Sequence, residues 1–305
     1  MAIKIVLEPI FENEFSDDSY GFRPNRNAKD ALREVNRNLR AGASWVVDAD
    51  IKGYFYAIDH DLLIAMLQEK VADQTLLKLI TSYLTQYIFD GTNEWTPIKG
   101  SPQGAVLSPL LANIYLTGLD NVIGERHKII RYADDFVILC NSQAEAEMAL
   151  EKVTEWMTAH RLTLHPSKTK ICHEASDASG FDFLGYTFYQ GQRNARAKAI
   201  QGVRDKIRQH TGRQPGKSLL AVIADLNPIL RGWFEYFKHA RHNLFRYIDG
   251  FVRRRLRSIL RKLQKKTGGT GRSNLDHIAW PNIFFARLGL FTMNEAYVRA
   301  SESRC

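Results

Sequence analysis

The sequence has few cysteines and no long apolar run, and both shortages exclude classes of protein. Its three cysteines, Cys140, Cys172 and Cys305, lie far apart among 305 residues and form no Cys-x-x-Cys pair. This spacing argues against a disulfide framework and a zinc site, and it fits a reducing compartment. No run approaches the length of a membrane span, and the N-terminus lacks a signal-peptide pattern. The sequence therefore predicts a protein that has no membrane partner.

Charge is unevenly distributed along the chain. The net charge is +9, but residues 1–190 hold 18 basic against 26 acidic side chains, whereas residues 191–305 hold 24 against 7. Such asymmetry indicates an acidic or mixed body followed by a part that binds nucleic acid or another anionic surface.

A pair of adjacent aspartates lies between two apolar runs. Residues 129–139 read Ile-Ile-Arg-Tyr-Ala-Asp-Asp-Phe-Val-Ile-Leu, which predicts a β-hairpin with Asp134 and Asp135 at its turn. Neighbouring carboxylates next to buried strands are costly unless a cation or water holds them. A solvated turn is the alternative, because Asp is common in turns. A third carboxylate elsewhere would favour the cation site.

The candidate third carboxylate is Asp50, at the end of a short strand that breaks at Gly53. Asp48 lies on the same face two residues earlier, so the strand periodicity does not choose between them. Further along, Pro102-Gln103-Gly104 predicts a tight loop in which glycine allows close approach to a ligand. Ser108-Pro109 predicts the start of a helix, with the hydroxyl as its cap.

Strands and helices alternate through residues 45–188, which predicts an α+β or α/β domain. Residues 162–165 and 181–188 are strand candidates, the second with a bulge or close contact at Gly185. After residue 190 we expect helices only. Asn227-Pro228 begins one of them, and Gly268-Gly269 ends a later one.

The later helix combines an apolar stripe with many basic residues. A phosphate backbone suits this pattern, and so does a membrane surface, but the preceding half favours nucleic acid. Arg23, in a loop before an early helix, is another candidate phosphate ligand. The basic residues of the later helix are Arg253, Arg254, Arg255, Arg257, Arg261 and Lys262.

Taken together, the motifs occur in the order seen in reverse transcriptases, and the chain most closely resembles the bacterial group II intron-encoded reverse transcriptase/maturases. The similarity covers essentially the whole chain. The segments that carry it are Asp50 to Phe55, Ser101 to Gly104, Tyr132 to Asp135, Lys168-Thr169 and Phe183 to Gly185.

The resemblance implies an α+β right-hand polymerase: partial fingers at 1–44, a palm at 45–188 with an antiparallel sheet and helices, a helical basic thumb or maturase domain at 189–270, and a short DNA-binding-like tail at 271–305. It implies that Asp50, Asp134 and Asp135 hold two Mg²⁺ ions, or Mn²⁺ in their place, for RNA-directed DNA synthesis.

The resemblance also implies a role for each substrate-binding segment. Phe55 would reject the ribose 2′-hydroxyl, and Pro102, Gln103 and Gly104 would line the nucleotide pocket. Lys168 and Arg23 would approach phosphates, and Leu184 with Gly185 would grip the primer. The basic thumb residues would bind template, primer and intron RNA.

Compared with the family, the sequence lacks the N-terminal finger segment and a His/Cys endonuclease domain. We therefore expect a truncated reading frame, or a partner or second copy that supplies the fingers, in the bacterial cytoplasm. The expected partners are an RNA template, the intron RNA, a DNA primer and dNTPs. The competing hypotheses are an RNA-binding maturase without catalysis and a fragment that does not fold alone.

Overall fold

The chain forms two compact units. The computed structural model describes residues 1–86, 88–89, 94–95, 98–102, 104–176, 180–212, 216–264 and 273–302. The first unit comprises Met1–Leu184 with Tyr189–Gly191, and the second comprises Gly185–Phe188 with Gln192–Cys305. The predictions for Gln103 and for Gly268-Gly269 lie outside the described residues.

The first unit combines helices with an antiparallel sheet. Its helices are α1 (Ala2–Glu12), α2 (Ala28–Arg40), α3 (Tyr54–Ala57), α4 (His60–Gln68), α5 (Gln74–Leu84), α6 (Ser108–Gly124) and α7 (Gln143–Ala159). Its strands are β1 (Trp45–Asp50), β2 (Ile88–Phe89), β3 (Glu94–Trp95), β4 (Lys128–Tyr132), β5 (Asp135–Cys140), β6 (Lys170–His173) and β7 (Phe181–Phe183).

The central sheet has the strand order β4-β5-β1-β6, and each neighbouring pair is antiparallel. Helices α6 and α7 pack against it. Alternate residues of β1 and β5, such as Val47, Ala49 and Phe136, join the hydrophobic core. Since side chains alternate across a strand, Asp48, Asp50 and Asp135 lie on the opposite face.

The second unit is mainly helical. Strand β8 (Tyr186–Tyr189) crosses the boundary between the units and neighbours β9 (Gln192–Ala195). The helices are α8 (Ala197–His210), α9 (Leu219–Phe237), α10 (His242–Leu263), α11 (Asn274–Ala279), α12 (Asn282–Arg287) and α13 (Met293–Glu302). Along the described ranges, no helix is long and apolar enough to span a membrane.

One predicted helix start is confirmed without its predicted cap, and another is wrong. Helix α6 begins at Ser108, but no side chain caps it, because the Ser108 hydroxyl donates to the carbonyl of Pro102 at 2.6 Å. Helix α9 begins at Leu219 with Ser218 as its cap and continues through Pro228. The side chain of Asn227 bonds to the carbonyl of Gly289 and the N–H of Phe291, so tertiary contacts hold the helix together around the proline.

Two strand predictions also need correction. Residues 162–165 make only an isolated bridge, between Ile51 and Leu164, because His165 begins a hydrogen-bonded turn. Residues 181–188 form two strands, since Leu184 and Gly185 have φ of 47° and 81° and make a two-residue turn between them. Strand β9 shows that the second unit is not exclusively helical.

Candidate active site

The predicted Asp-Asp hairpin is confirmed. Strands β4 and β5 pair from Lys128↔Leu139 to Tyr132↔Asp135, which leaves Ala133 and Asp134 as a two-residue turn. Ala133 has a φ of 59°, a conformation that costs a non-glycine residue about 1 kcal/mol. The turn places Asp134 at its tip and Asp135 at the first position of β5.

The register of β1 places Asp50 next to this turn. Asp50 lies directly opposite Asp135, whereas Asp48 lies opposite Val137 on β5 and Lys170 on β6. Directly opposed residues in an antiparallel pair share a face and lie about 5 Å apart. The register therefore places Asp50 directly opposite Asp135 and beside the turn, which periodicity alone could not show. Asp48 lies further along the same face, but its charge still acts on Asp135.

Mutual repulsion and burial disfavour the ionised carboxylates. Burial, followed by the charges of Asp48 and Asp134, raises the pKa of Asp135 to about 7, although the N–H of Leu184 opposes the shift. Burial and then Asp50 also raise the pKa of Asp134. Half-buried carboxylate oxygens that repel one another provide the hard donor atoms and the negative charge that a divalent cation requires. The donor set thus fits Mg²⁺ or Mn²⁺.

Lys168 is already engaged with one of these acids. Its Nζ lies 2.8 Å from Oδ2 of Asp50, and both side chains are partly exposed. The turn that begins at His165 carries Lys168, and the N–H of His165 donates to the carbonyl of Asp50. The ammonium can therefore reach the carboxylate cluster from a segment tied to the end of β1.

A buried ion pair between Arg131 and Asp120 stabilises the Ala133–Asp134 turn. Arg131 and Asp120 are 0% and 2% exposed, and the guanidinium makes two bonds to the carboxylate, at 2.8 and 2.5 Å. The same guanidinium donates to the carbonyl of Ala133 at 2.9 Å and to the side chain of Asn113 at 3.0 Å. Sequence reasoning missed this network, although an arginine inside an otherwise apolar strand was a signal for it.

An early loop also contacts the turn. A Cβ built on Gly21 would overlap the backbone nitrogen of Ala133, so only glycine fits there. The carbonyl of Gly21 accepts a bond from the Asn113 side chain at 2.8 Å, and the N–H of Tyr20 donates to the carbonyl of Arg131 at 2.9 Å. The loop is thus bonded to the hairpin through Tyr20 and to α6 through Gly21.

The predicted nucleotide-pocket segments lie around Phe55. Phe55 is half-buried, and its backbone carbonyl accepts a hydrogen bond from the N–H of Ser101 at 2.7 Å. The carbonyl of Pro102, which follows Ser101, accepts a hydrogen bond from the Ser108 hydroxyl. Gly104 has a φ of 81°, as a tight loop requires. Their roles in nucleotide binding stay predictions.

Arg23 lies close to the early loop but is internally bonded. Its side chain is 3% exposed, pairs with Glu12 at 2.8 Å and donates to the carbonyls of Ser16 and Ser19. The guanidinium also lies over the ring of Phe15. This position gives Arg23 a structural role in fixing the loop, and its predicted contact with phosphate is untested.

The two predicted primer-grip residues fall on either side of the unit boundary. Leu184 belongs to the first unit and bonds to Asp135, whereas Gly185 belongs to the second. The carbonyl of Gly185 accepts a bond from the N–H of Arg196 at 2.9 Å. Their role in holding a primer stays a prediction.

Several basic residues of α10 bind internal partners. Arg257 is 2% exposed and donates to the carbonyl of Trp280 and to Asn282. Arg255 bonds to the carbonyl and hydroxyl of Thr211, and Arg261 pairs with Asp276 at 2.7 Å. These three arginines hold the helices of the second unit together. Arg253 and Arg254 are half-buried, and Lys262 is exposed.

The second unit also contains an arginine and aromatic cluster that sequence reasoning missed. The guanidiniums of Arg204, Arg208 and Arg254 lie 5.1 to 5.4 Å from the ring centroid of Phe251. Arg204 also lies over the ring of Tyr247, which is 48% exposed. Both α8 and α10 contribute, so a search of one helix at a time could not find it. Guanidinium and aromatic surfaces together suit a nucleic acid.

A separate set of potential metal ligands lies at the far end of the hairpin. The ligand atoms of His127, Cys140 and Glu145 lie within 4.8 Å of one another. The carboxylate of Glu145, however, accepts bonds from His127 and from the N–H of Asn141 at the start of α7. Burial raises the pKa of the Cys140 thiol to about 12. These contacts are those of a helix cap and a core thiol.

Comparison with known proteins identifies the class and then the family. Structures of telomerase share the fold, a right-hand polymerase. The Candida albicans enzyme, solved with a fragment of telomeric RNA, matches with a TM-score of 0.52 at 11% identity over 99% of this chain and 55% of that chain. Apo telomerase from Candida tropicalis matches with a TM-score of 0.51 at 11% identity, over 97% of this chain and 60% of the telomerase chain. At this identity the likeness concerns the fold alone.

Sequence comparison establishes the family. Residues 1–188 match the family described as reverse transcriptase (RNA-dependent DNA polymerase), and residues 200–278 match the group II intron, maturase-specific domain. The chain belongs to the reverse transcriptase family and carries a group II intron maturase domain. Members of this family generally use divalent metals, and the two domains imply RNA binding.

Relatives with similar sequences come from bacteria and a fungus. The group II intron-encoded protein LtrA of Lactococcus lactis is 43% identical over 40% of this chain and 20% of its own length. YkfC of Escherichia coli is 29% identical over 61% of this chain and 58% of its own length. A 91 kDa protein of a cob intron in Schizosaccharomyces pombe is 29% identical over 87% of this chain and 44% of its own length. The chain therefore spans between 20% and 58% of the length of these relatives.

Proposed function

We propose that the first unit is the catalytic part of an RNA-directed DNA polymerase. The observation that carries this proposal is the convergence of Asp50, Asp134 and Asp135 at one end of an antiparallel sheet, in a chain of the reverse transcriptase family. Bacterial group II introns are the source of one relative, LtrA, and this favours intron RNA as the template. A DNA primer and dNTPs complete the proposed substrates.

In this proposal the three aspartates hold two Mg²⁺ ions. When bound there, the ions would supply the positive charge that activates a primer 3′-hydroxyl and neutralises the triphosphate and its leaving group. The carboxylates fix the ions in place, since β1 and the hairpin are both anchored in the sheet. Phe55 excludes the 2′-hydroxyl, and Lys168 leaves Asp50 to meet the triphosphate when the cluster is loaded.

The domain boundaries predicted from the sequence remain part of the proposal. The matches at residues 1–188 and 200–278 support a boundary near residue 190 between palm and thumb. The separate assignments of 1–44 to fingers and 271–305 to a DNA-binding-like tail rest on the resemblance.

Primer extension tests the proposed activity. The purified chain is given an RNA template, an annealed DNA primer, dNTPs and Mg²⁺, and the product length is measured. Template-dependent extension is the expected result. A folded chain that extends no primer, with Mg²⁺ or with Mn²⁺, would contradict the proposal.

Metal binding should depend on pH, because the pKa of Asp135 is raised to about 7. Below that pH the carboxyl is protonated in the folded protein, and a cation must displace the proton. We expect the apparent Mn²⁺ affinity to fall about tenfold for each pH unit below about 7 and to level off above it. Calorimetric titration measures this dependence.

A matched variant provides the control for the pH dependence. The charge of Asp48 is the second cause of the raised pKa of Asp135. Asp48→Asn should therefore lower the pH below which the Mn²⁺ affinity begins to fall. An Mn²⁺ affinity that does not change with pH in the unaltered protein would show that no acid of the cluster titrates there.

A second function, RNA binding by the maturase part, is favoured by the arginine and aromatic cluster around Phe251. In this role the second unit grips intron RNA whether or not the first unit is active. Residues 191–305 carry 24 basic against 7 acidic side chains, which favours a polyanionic partner.

Arg204→Ala/Arg254→Ala should weaken RNA binding. Each guanidinium lost from a phosphate contact should reduce the slope of log K against log salt by about 1, or about 2 for the pair. Filter binding of intron RNA over a salt series measures both affinity and slope.

The control for this pair is Lys217→Ala/Lys238→Ala, which removes the same charge. Lys217, just before α9, pairs with Asp225, and Lys238, just after it, pairs with Glu235. Neither lysine belongs to the cluster around Phe251. Equal losses in the two double variants would mean that net charge, and not the cluster, determines binding.

A further inference from the structure

Phe22 combines backbone strain with exposure. Its φ is 59°, a left-handed conformation that is rare for a bulky residue, and its side chain is 48% exposed. Strain of this kind persists only where the surroundings impose it. Packing in the core would offset the strain of a buried aromatic residue, but about half of the Phe22 side chain is exposed to solvent. The conformation therefore needs another explanation.

The residues on both sides of Phe22 impose its conformation. Gly21 lies against the backbone of Ala133, where a larger residue would overlap, and its carbonyl is held by Asn113. On the other side, the buried guanidinium of Arg23 bonds to the carbonyl of Ser19 at 2.8 Å and pairs with Glu12. Phe22 is fixed between two anchored neighbours.

The ring of Phe22 faces the proposed sugar gate. Its centroid lies 6.5 Å from that of Phe55, with the planes at 76°, which is an edge-to-face contact. It lies 6.5 Å from Tyr132, the residue that precedes the Ala133–Asp134 turn. The ring thus bridges the gate and the hairpin that carries the catalytic aspartates.

We propose that Phe22 is a positioning residue that fixes the ring of Phe55 and thereby sharpens the selection of deoxyribonucleoside over ribonucleoside triphosphates. This inference rests on the proposed function, in which Phe55 excludes the 2′-hydroxyl. A gate that discriminates by a single oxygen atom must hold its ring still, and Phe55 itself is only half-buried. Phe22 supplies a second contact from an anchored loop.

The test is the ratio of kcat/KM for a dNTP to that for the matching rNTP. An aromatic pair contributes about 0.5–1.5 kcal/mol, so Phe22→Ala should lower this ratio by between about twofold and tenfold. Because the side chain is half-exposed, the thermal midpoint should change little. Phe22→Tyr keeps the edge-to-face ring and should restore the ratio. Met148→Ala, at a 59% exposed position on α7, is the control and should leave the ratio unchanged.

A double-mutant cycle separates positioning from direct contact. If Phe22 acts through Phe55, then adding Phe22→Ala to Phe55→Ala should cause no further loss of selectivity. Additive losses would overturn the proposal and place Phe22 in contact with the nucleotide. An unchanged ratio in Phe22→Ala, or an equal change in kcat/KM for both sugars, would overturn it as well.

Binding measurements distinguish failure of this inference from failure of the proposed function. The affinities of dNTP and rNTP for the protein on a primer–template are measured with Ca²⁺, so that no chemistry is needed. Loss of sugar preference in Phe22→Ala supports the inference even if the chain extends no primer. If the unaltered protein extends primers and Phe22→Ala keeps its preference in both assays, only the inference fails. If the unaltered protein shows no sugar preference in either assay, the inference is overturned.

Discussion

Asp134→Asn should abolish primer extension while the protein still folds and binds RNA. The substitution keeps the size of the side chain but removes one of the charges that hold the cations. Because metal neutralisation of the transition state is worth several kcal/mol, the fall in kcat should be on the order of a thousandfold or more. The metal-free variant should also have a higher thermal midpoint, since burial and Asp50 disfavour the charge of Asp134 in the folded state.

Two further variants make the result specific. Asp50→Asn should reproduce the loss, because Asp50 faces Asp135 across the ladder. Asp48→Asn, on the same strand face but opposite Val137, is the matched control, and its effect should be less than about tenfold. If Asp48→Asn were as damaging as Asp50→Asn, the assignment of the third carboxylate would be wrong. Retained extension in Asp134→Asn would refute the metal site itself.

The hairpin was predictable because its signals are local. Two apolar runs flank Asp134 and Asp135, and they form two strands that are buried along consecutive residues. The order of the motifs then predicted the α+β polymerase fold, which the telomerase structures share.

What sequence reasoning missed depends on contacts between distant segments. The choice between Asp48 and Asp50 needed the register of β1 against β5, and periodicity gives both residues the same face. Helix α9 continues through Pro228, because tertiary hydrogen bonds at Asn227 outweigh the helix-breaking effect of the proline. Likewise, the sequence predicts that Arg257 binds phosphate, but its guanidinium is buried and donates a hydrogen bond to the carbonyl of Trp280.

The early loop and the hairpin meet through residues that no motif search would connect. Gly21 contacts Ala133, and Asn113 joins both to α6. The early loop, helix α6 and the Ala133–Asp134 turn thus share one buried polar network. Such a network fixes geometry only when every member is satisfied, so its loss should affect both stability and catalysis.

Arg131→Leu tests this network and should strongly destabilise the first unit. It leaves Asp120 buried without its partner, and it removes the donors to Asn113 and to the Ala133 carbonyl. Breaking a buried pair in this way costs about 3–5 kcal/mol, which urea-induced unfolding would measure. The same substitution in an exposed pair, Arg161→Leu beside Asp59, should leave the free energy of unfolding almost unchanged.

A compensated variant separates the two roles of Arg131. In Arg131→Met/Asp120→Leu the buried charges are replaced together, and apolar packing should recover most of the stability. The carbonyl of Ala133 still lacks its donor, so the turn that carries Asp134 loses the bond that holds its strained φ. We therefore expect a folded protein whose primer extension remains low and requires more Mg²⁺. If full activity returned with stability, the ion pair would stabilise the fold and would not position the catalytic aspartates.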